Sequence, residues 1–163
     1  MSRRSNRPIR IVGLGNRMRG DDAAGLIAAD RIRARIGARA EVIDAEMAGA
    51  DLLEWFDGAR AVFLIDAVRS GSPPGTLHRC DASTGPIGTA HLPHSSHALN
   101  GVDALELARI LGLLPPIVLV FGIEVGATSF GRLLSPEVAA AIEATVETVC
   151  RESEALACTN SIC

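Results

Sequence analysis

Ile11-Val12-Gly13-Leu14-Gly15-Asn16-Arg17-Met18-Arg19-Gly20-Asp21-Asp22-Ala23-Ala24-Gly25 begins as an apolar strand, turns on glycines and an asparagine, and delivers two adjacent aspartates to the start of a helix. Glycine lacks a Cβ, so it lets a backbone turn tightly and pass close to another group. A carboxylate in the first turn of a helix is favoured by the helix dipole, and it can equally ligate a metal or act as a base. The pattern predicts a strand over 8–14 and a helix from Asp21 or Asp22 to a stop at Gly37. Leu26, Ala29, Ile32 and Ile36 form its apolar stripe.

The same alternation repeats downstream. A short strand over 40–43 ends at Asp44, and a helix over 49–57 buries Leu52, Leu53 and Phe56. The apolar run 61–65 is a buried strand ending in Asp66, and 76–80 is an edge strand. Residues 81–98 form a long loop, and a helix over 99–112 follows, carrying Val102, Leu105, Leu107, Ala108 and Leu111. A central strand spans 117–123. Ser135 caps the last helix and Pro136 opens it, with Val138, Ile142, Thr145, Val146 and Val149 inward. Strands alternating with helices predict an α/β protein, a mostly parallel sheet covered by helices on both faces. One domain over 1–163 is expected, with a core over about 9–150 and loose termini at 1–8 and 152–163.

Composition narrows the function classes. Four Phe, one Trp and no Tyr in 163 residues make the core aliphatic and leave few platforms for stacking bases. A net charge of -3 opposes nucleic-acid binding. Cys80, Cys150, Cys158 and Cys163 show no C-x-x-C spacing and read as reduced thiols. The run after Arg3-Arg4 is too short for a signal h-region, and no apolar run is long enough to insert into a membrane. The expected location is cytoplasmic.

In open parallel sheets, ligands bind at the carboxyl ends of the strands. Asp22, Asp44, Asp66 and the 81–98 loop fall on that side. Gly13-Leu14-Gly15 starts like a dinucleotide fingerprint, but position 18 is Met, no Gly-Lys-Ser/Thr follows, and two carboxylates would repel a pyrophosphate. A tight turn capped by Asp21 accounts for Asp21 alone and leaves Asp22 to be explained. His91-x-x-His94-x-x-His97 is interrupted by Pro93, which disfavours a helical array. His97, directly before the apolar helix, is the best placed of the three; His78, on the edge strand, has no such placement. Two carboxylates and an imidazole suit a borderline divalent ion such as zinc or nickel, with open positions for water or substrate.

Gly13-x-Gly15-Asn16-x-x-x-Gly20-Asp21-Asp22-x-x-Gly25 resembles the opening motif of the hydrogenase maturation proteases. The likeness runs on through Asp44, Leu64-Ile65-Asp66-Ala67, Pro74-Gly75, His97-x-Leu99, Phe121-Gly122-Ile123-Glu124 and Leu134-Ser135-Pro136. It implies a three-layer αβα sandwich around a twisted, mostly parallel sheet of about five strands. It also implies an aspartic-type endopeptidase that trims the C-terminus of a [NiFe] hydrogenase large-subunit precursor after nickel insertion. The catalytic and metal-recognising residues carried over are Asp22, Asp66 and His97, with Asp21 left as the helix cap. The nickel arrives with the substrate, no organic cofactor is implied, and the chain is expected to be a monomer. Ala45-Glu46-Met47 stands where the family commonly has a Gly-Gly-Thr type turn, and Ala23 where a glycine is frequent. A nickel-dependent assembly protein that docks on the same precursor without cutting it is the alternative.

Overall fold

The computed structural model describes residues 7–46, 51–86, 101–126 and 128–158. Five strands, β1 (Ile9–Gly15), β2 (Glu41–Glu46), β3 (Ala61–Val68), β4 (Leu77–Asp81) and β5 (Ile117–Glu124), form one sheet in the order β2-β1-β3-β5-β4. The first three and β5 run parallel, and β4 closes the edge antiparallel to β5. Among the described residues four α-helices, α1 (Ala24–Ile36), α2 (Leu52–Phe56), α3 (Gly101–Ile110) and α4 (Pro136–Cys158), complete an αβα sandwich.

Side chains alternate across each strand, so the sheet feeds two separate cores. Ile11, Phe63, Ile65, Phe121 and Ile123 pack with α1 and α4. Val12, Leu64, Val118 and Val120 pack with α2 and α3. The stripe Leu26, Ala29, Ile32 and Ile36 is fully buried, and Gly37, with φ of 58°, ends α1 as expected. Arg10, the one charge in β1, lies along Glu41 at 2.8 Å and donates to the carbonyl of Asp57 at 2.8 Å and that of Trp55 at 3.2 Å. It thereby serves the unsatisfied carbonyls at the end of the short helix α2.

Several features differ from the sequence expectation: β2 runs on to Glu46, past Asp44, and α2 is confined to Leu52–Phe56. Strand β3 does not stop at Asp66: Asp66, Ala67 and Val68 pair with Gly122, Ile123 and Glu124, because β5 offers a backbone partner that far. Helix α4 runs through 152–158, where a loose tail was expected. Glu152 receives Arg79 at 2.8 Å, Glu154 receives Arg39 at 2.8 Å, and Arg60 donates to the Leu156 carbonyl. Leu107 on α3 and Leu111 just past its end lie outside the buried stripe, with 41% and 55% exposure.

Gly25 explains how closely α1 can lie on the sheet. A Cβ there would stand 2.3 Å from the Leu14 carbonyl oxygen and 2.4 Å from that of Ile65. Both obstacles are backbone and cannot rotate away. Gly25→Ala is therefore expected to destabilise the fold by about 3 kcal/mol, despite the better helix propensity of alanine. A urea titration reads this as a lowered midpoint.

Candidate active site

The loop after β1 folds on itself to present Asp22. Asn16 N donates to the Asp22 carbonyl at 3.1 Å, Asp22 N donates to the Arg19 carbonyl at 3.1 Å, and Met18 N donates to the Asn16 side chain at 2.9 Å. Gly15 makes this possible: its φ is +144°, and a Cβ would meet the Asp22 carbonyl oxygen at 2.1 Å. The chain then passes through a 3-10 turn, Gly20–Ala23, before α1 begins. Asp22 is 2% exposed, far more enclosed than a surface helix-start residue would be.

Asp21 does not cap its own helix; no side chain caps this turn. Its Oδ1 instead accepts from Ser135 N at 2.7 Å, and its Oδ2 accepts from Ser135 Oγ at 3.0 Å and Gly126 N at 3.2 Å. It ties the β1 loop to the start of α4 and places its charge at that helix's amino end, where the dipole favours it. Asp21→Ala is expected to cost about 2 kcal/mol, from the loss of charge-assisted bonds. Thermal unfolding with Asp21→Asn as comparison checks it.

Asp66 lies near the carboxyl end of β3, among Leu14, Leu64, Val68, Val102 and Val120, which line a small cleft with it. Burial pushes its carboxyl up to about 7. The Ala67 amide, donating at 2.8 Å, pulls the other way, and the charge of Asp22 adds to the rise. Two carboxylates thus share an enclosed region in which ionising both is costly. Gly101, four residues after His97 in the sequence, begins α3 here; a Cβ on it would lie 3.9 Å from Asp66 Oδ2.

The other sequence candidates separate. His91, His94 and His97 lie outside the described residues. Among the described residues no three His, Cys, Asp or Glu gather as a metal-holding group. Asp22 and Asp66 are hard oxygen donors of the kind a divalent ion takes. Asp44 is on the expected side of the sheet but belongs to a surface ion network, with Arg33 at 2.5 Å and Arg17 at 2.9 Å. Its role is to hold the β1 loop and α1 to the end of β2.

The sequence reading missed Glu124 as an individual residue and set His78 aside. Glu124 is 2% exposed at the end of β5. It accepts from Ser70 N at 2.8 Å, Ser70 Oγ at 2.7 Å and Gly71 N at 3.1 Å, with His78 Nε2 at 3.1 Å. Burial would raise its carboxyl, but these contacts outweigh burial and hold it below the usual range. A glutamate ending so apolar a strand was the available signal.

Fold and site together define a three-layer αβα protein with a pair of enclosed carboxylates at the carboxyl ends of its parallel strands. The family model for hydrogenase maturation proteases matches residues 28–152, a span that includes Asp66 and begins after Asp22. This chain belongs to the hydrogenase maturation protease family. The hydrogenase expression/formation protein HupD of Thiocapsa roseopersicina is 27% identical over 147 residues, covering 88% of this chain and 66% of that protein's length. The hydrogenase maturating endopeptidase HybD from E. coli superposes with a TM-score of 0.76 at 26% identity, covering 90% of this chain and 93% of the other. The [NiFe] hydrogenase maturation protease HybD from Thermococcus kodakarensis gives 0.73 at 26% identity, covering 90% and 99%.

Proposed function

We propose that this chain is an endopeptidase that removes a C-terminal extension from the precursor of a [NiFe] hydrogenase large subunit after nickel insertion. The nickel is part of the substrate, recognised by Asp22, Asp66 and His97. The observation that carries this reading is the enclosed carboxylate pair, in which Asp66 is held towards its protonated form beside Asp22. Asp22 and Asp66 would hold a dication whose charge would relieve their repulsion and displace the Asp66 proton, so the pair would discriminate a metal-loaded partner from an empty one. The metal brings its neighbouring peptide bond to the cleft beside Asp66. Either water, or an activated carboxylate whose acyl intermediate water then hydrolyses, attacks the scissile carbonyl; the C–N bond breaks, the water oxygen ends in the new carboxylate, and a proton passes to the leaving amine. The chain acts as a cytoplasmic monomer.

The test is incubation of the purified protein with nickel-loaded and nickel-free precursor, followed by intact-mass measurement. Shortening of the loaded form alone is the expected result. An unshortened precursor that nevertheless binds would overturn the protease reading and leave an assembly protein.

A further inference from the structure

Two loops at the carboxyl edge of the sheet are sewn into one platform. Gly131 N donates to the Met18 carbonyl at 3.1 Å, and Arg19 Nε donates to the Thr128 carbonyl at 3.1 Å. The Arg19 guanidinium also lies 5.2 Å from the centre of the Phe130 ring. Loops held this way would be expected to fold their apolar side chains inward, yet Met18 is 67%, Phe130 71% and Leu133 90% exposed. Apolar side chains this exposed, on loops bonded to each other, mark an interaction surface. The first of these loops is the one whose backbone hydrogen bonds hold Asp22 in place, so the platform borders the candidate site.

The charges on the two loop segments are all basic. Residues 16–20 and 128–134 contain Arg17, Arg19 and Arg132 and no acidic residue, although the chain carries -3. Asp30 and Asp44 engage Arg17, Glu46 accepts from the Arg17 amide, and Arg69 donates to the Gly126 carbonyl and the Thr128 hydroxyl, so Arg19 and Arg132 carry the remaining charge of the loops themselves. A second exposed apolar group, Leu107, Ile110 and Leu111, belongs to the end of α3 that leads towards the start of β5, away from the candidate site.

We infer that Met18, Phe130 and Leu133, fringed by Arg19 and Arg132, are the docking surface for the folded protein substrate, which presents an apolar patch edged by carboxylates. The inference rests on the proposed function for the identity of that partner. The cleft that Asp66 lines is small, and recognition of a folded precursor draws on area outside it, where aromatic and arginine side chains are the usual anchors.

The test is binding of purified nickel-loaded precursor by calorimetry, alongside processing kinetics. The double variant Phe130→Ser, Leu133→Ser is expected to weaken binding about tenfold or more and to raise KM with kcat little changed. Arg132→Glu is expected to weaken binding at low salt, with the difference shrinking at high salt. Unaltered thermal midpoints establish that these surface changes leave the fold intact. Patch-dependent binding without cleavage by the parent chain sustains this surface and overturns only the protease reading. Parent and variants binding alike, or no binding by the parent, overturns the surface. So does undiminished precursor affinity with patch-dependent binding to anionic phospholipid vesicles.

Discussion

In metal-free protein, Asp66→Asn is expected to match the parent chain in stability below about pH 3 and to exceed it by roughly 4 kcal/mol above pH 7.5. The Asp66 carboxyl is pushed to about 7 in the folded chain, chiefly by burial. In the unfolded chain it returns to about 3.9. Below both values the group is protonated in either state and costs nothing. As pH rises between them, the unfolded chain ionises first, the folded state binds more protons, and stability falls. Above the folded value the penalty is complete and constant. Asparagine keeps the acceptor for the Ala67 amide and carries no charge, so it escapes the penalty. Paired urea denaturation curves at pH 4.5 and pH 8 measure the difference, and a gap of the same size at both pH values would refute the assignment.

The second large effect concerns activity. Asp22→Asn is expected to lower processing of nickel-loaded precursor by about a hundredfold or more, as is His97→Ala. Asparagine preserves the size of Asp22, and the backbone bonds from Asn16 and to Arg19 that shape its loop do not involve the side chain. The loss would therefore report the carboxylate charge and not a collapsed loop. An independent signature accompanies it: removing the Asp22 charge lowers the Asp66 titration midpoint, since that charge contributes to its rise. Carboxyl-carbon NMR of metal-free protein follows this shift without any substrate. Full processing by Asp22→Asn would remove the residue from the proposed site.

What the sequence disclosed follows the range of the interactions involved. The strand around Phe63 and the stripe from Leu26 to Ile36 were legible because burial period is written into neighbouring residues. The extension of β3 past Asp66 was not, since an aspartate reads as a stop until Gly122 and Glu124 are known to lie alongside. Asp21 misled for the same reason. Its local setting is that of a cap, whereas its partner Ser135 is 114 positions away. Asp22 is singled out by its motif, and its enclosure follows from the glycine turn. Asp44 had the right place on the sheet but the wrong neighbours, because Arg17 and Arg33 claim it.

The bond between Asp21 and Ser135 also orders events during synthesis. The loop that shapes the Asp22 region is closed by residues near 126 and 135, so it cannot reach its final form until the start of α4 has left the ribosome. Contacts of such sequence separation form late, after the local helix and its neighbouring strands. A nascent chain released before that point would carry the opening motif without its carboxylate geometry. The end of the sheet that holds Asp22 is thus completed only once α4 has begun to form.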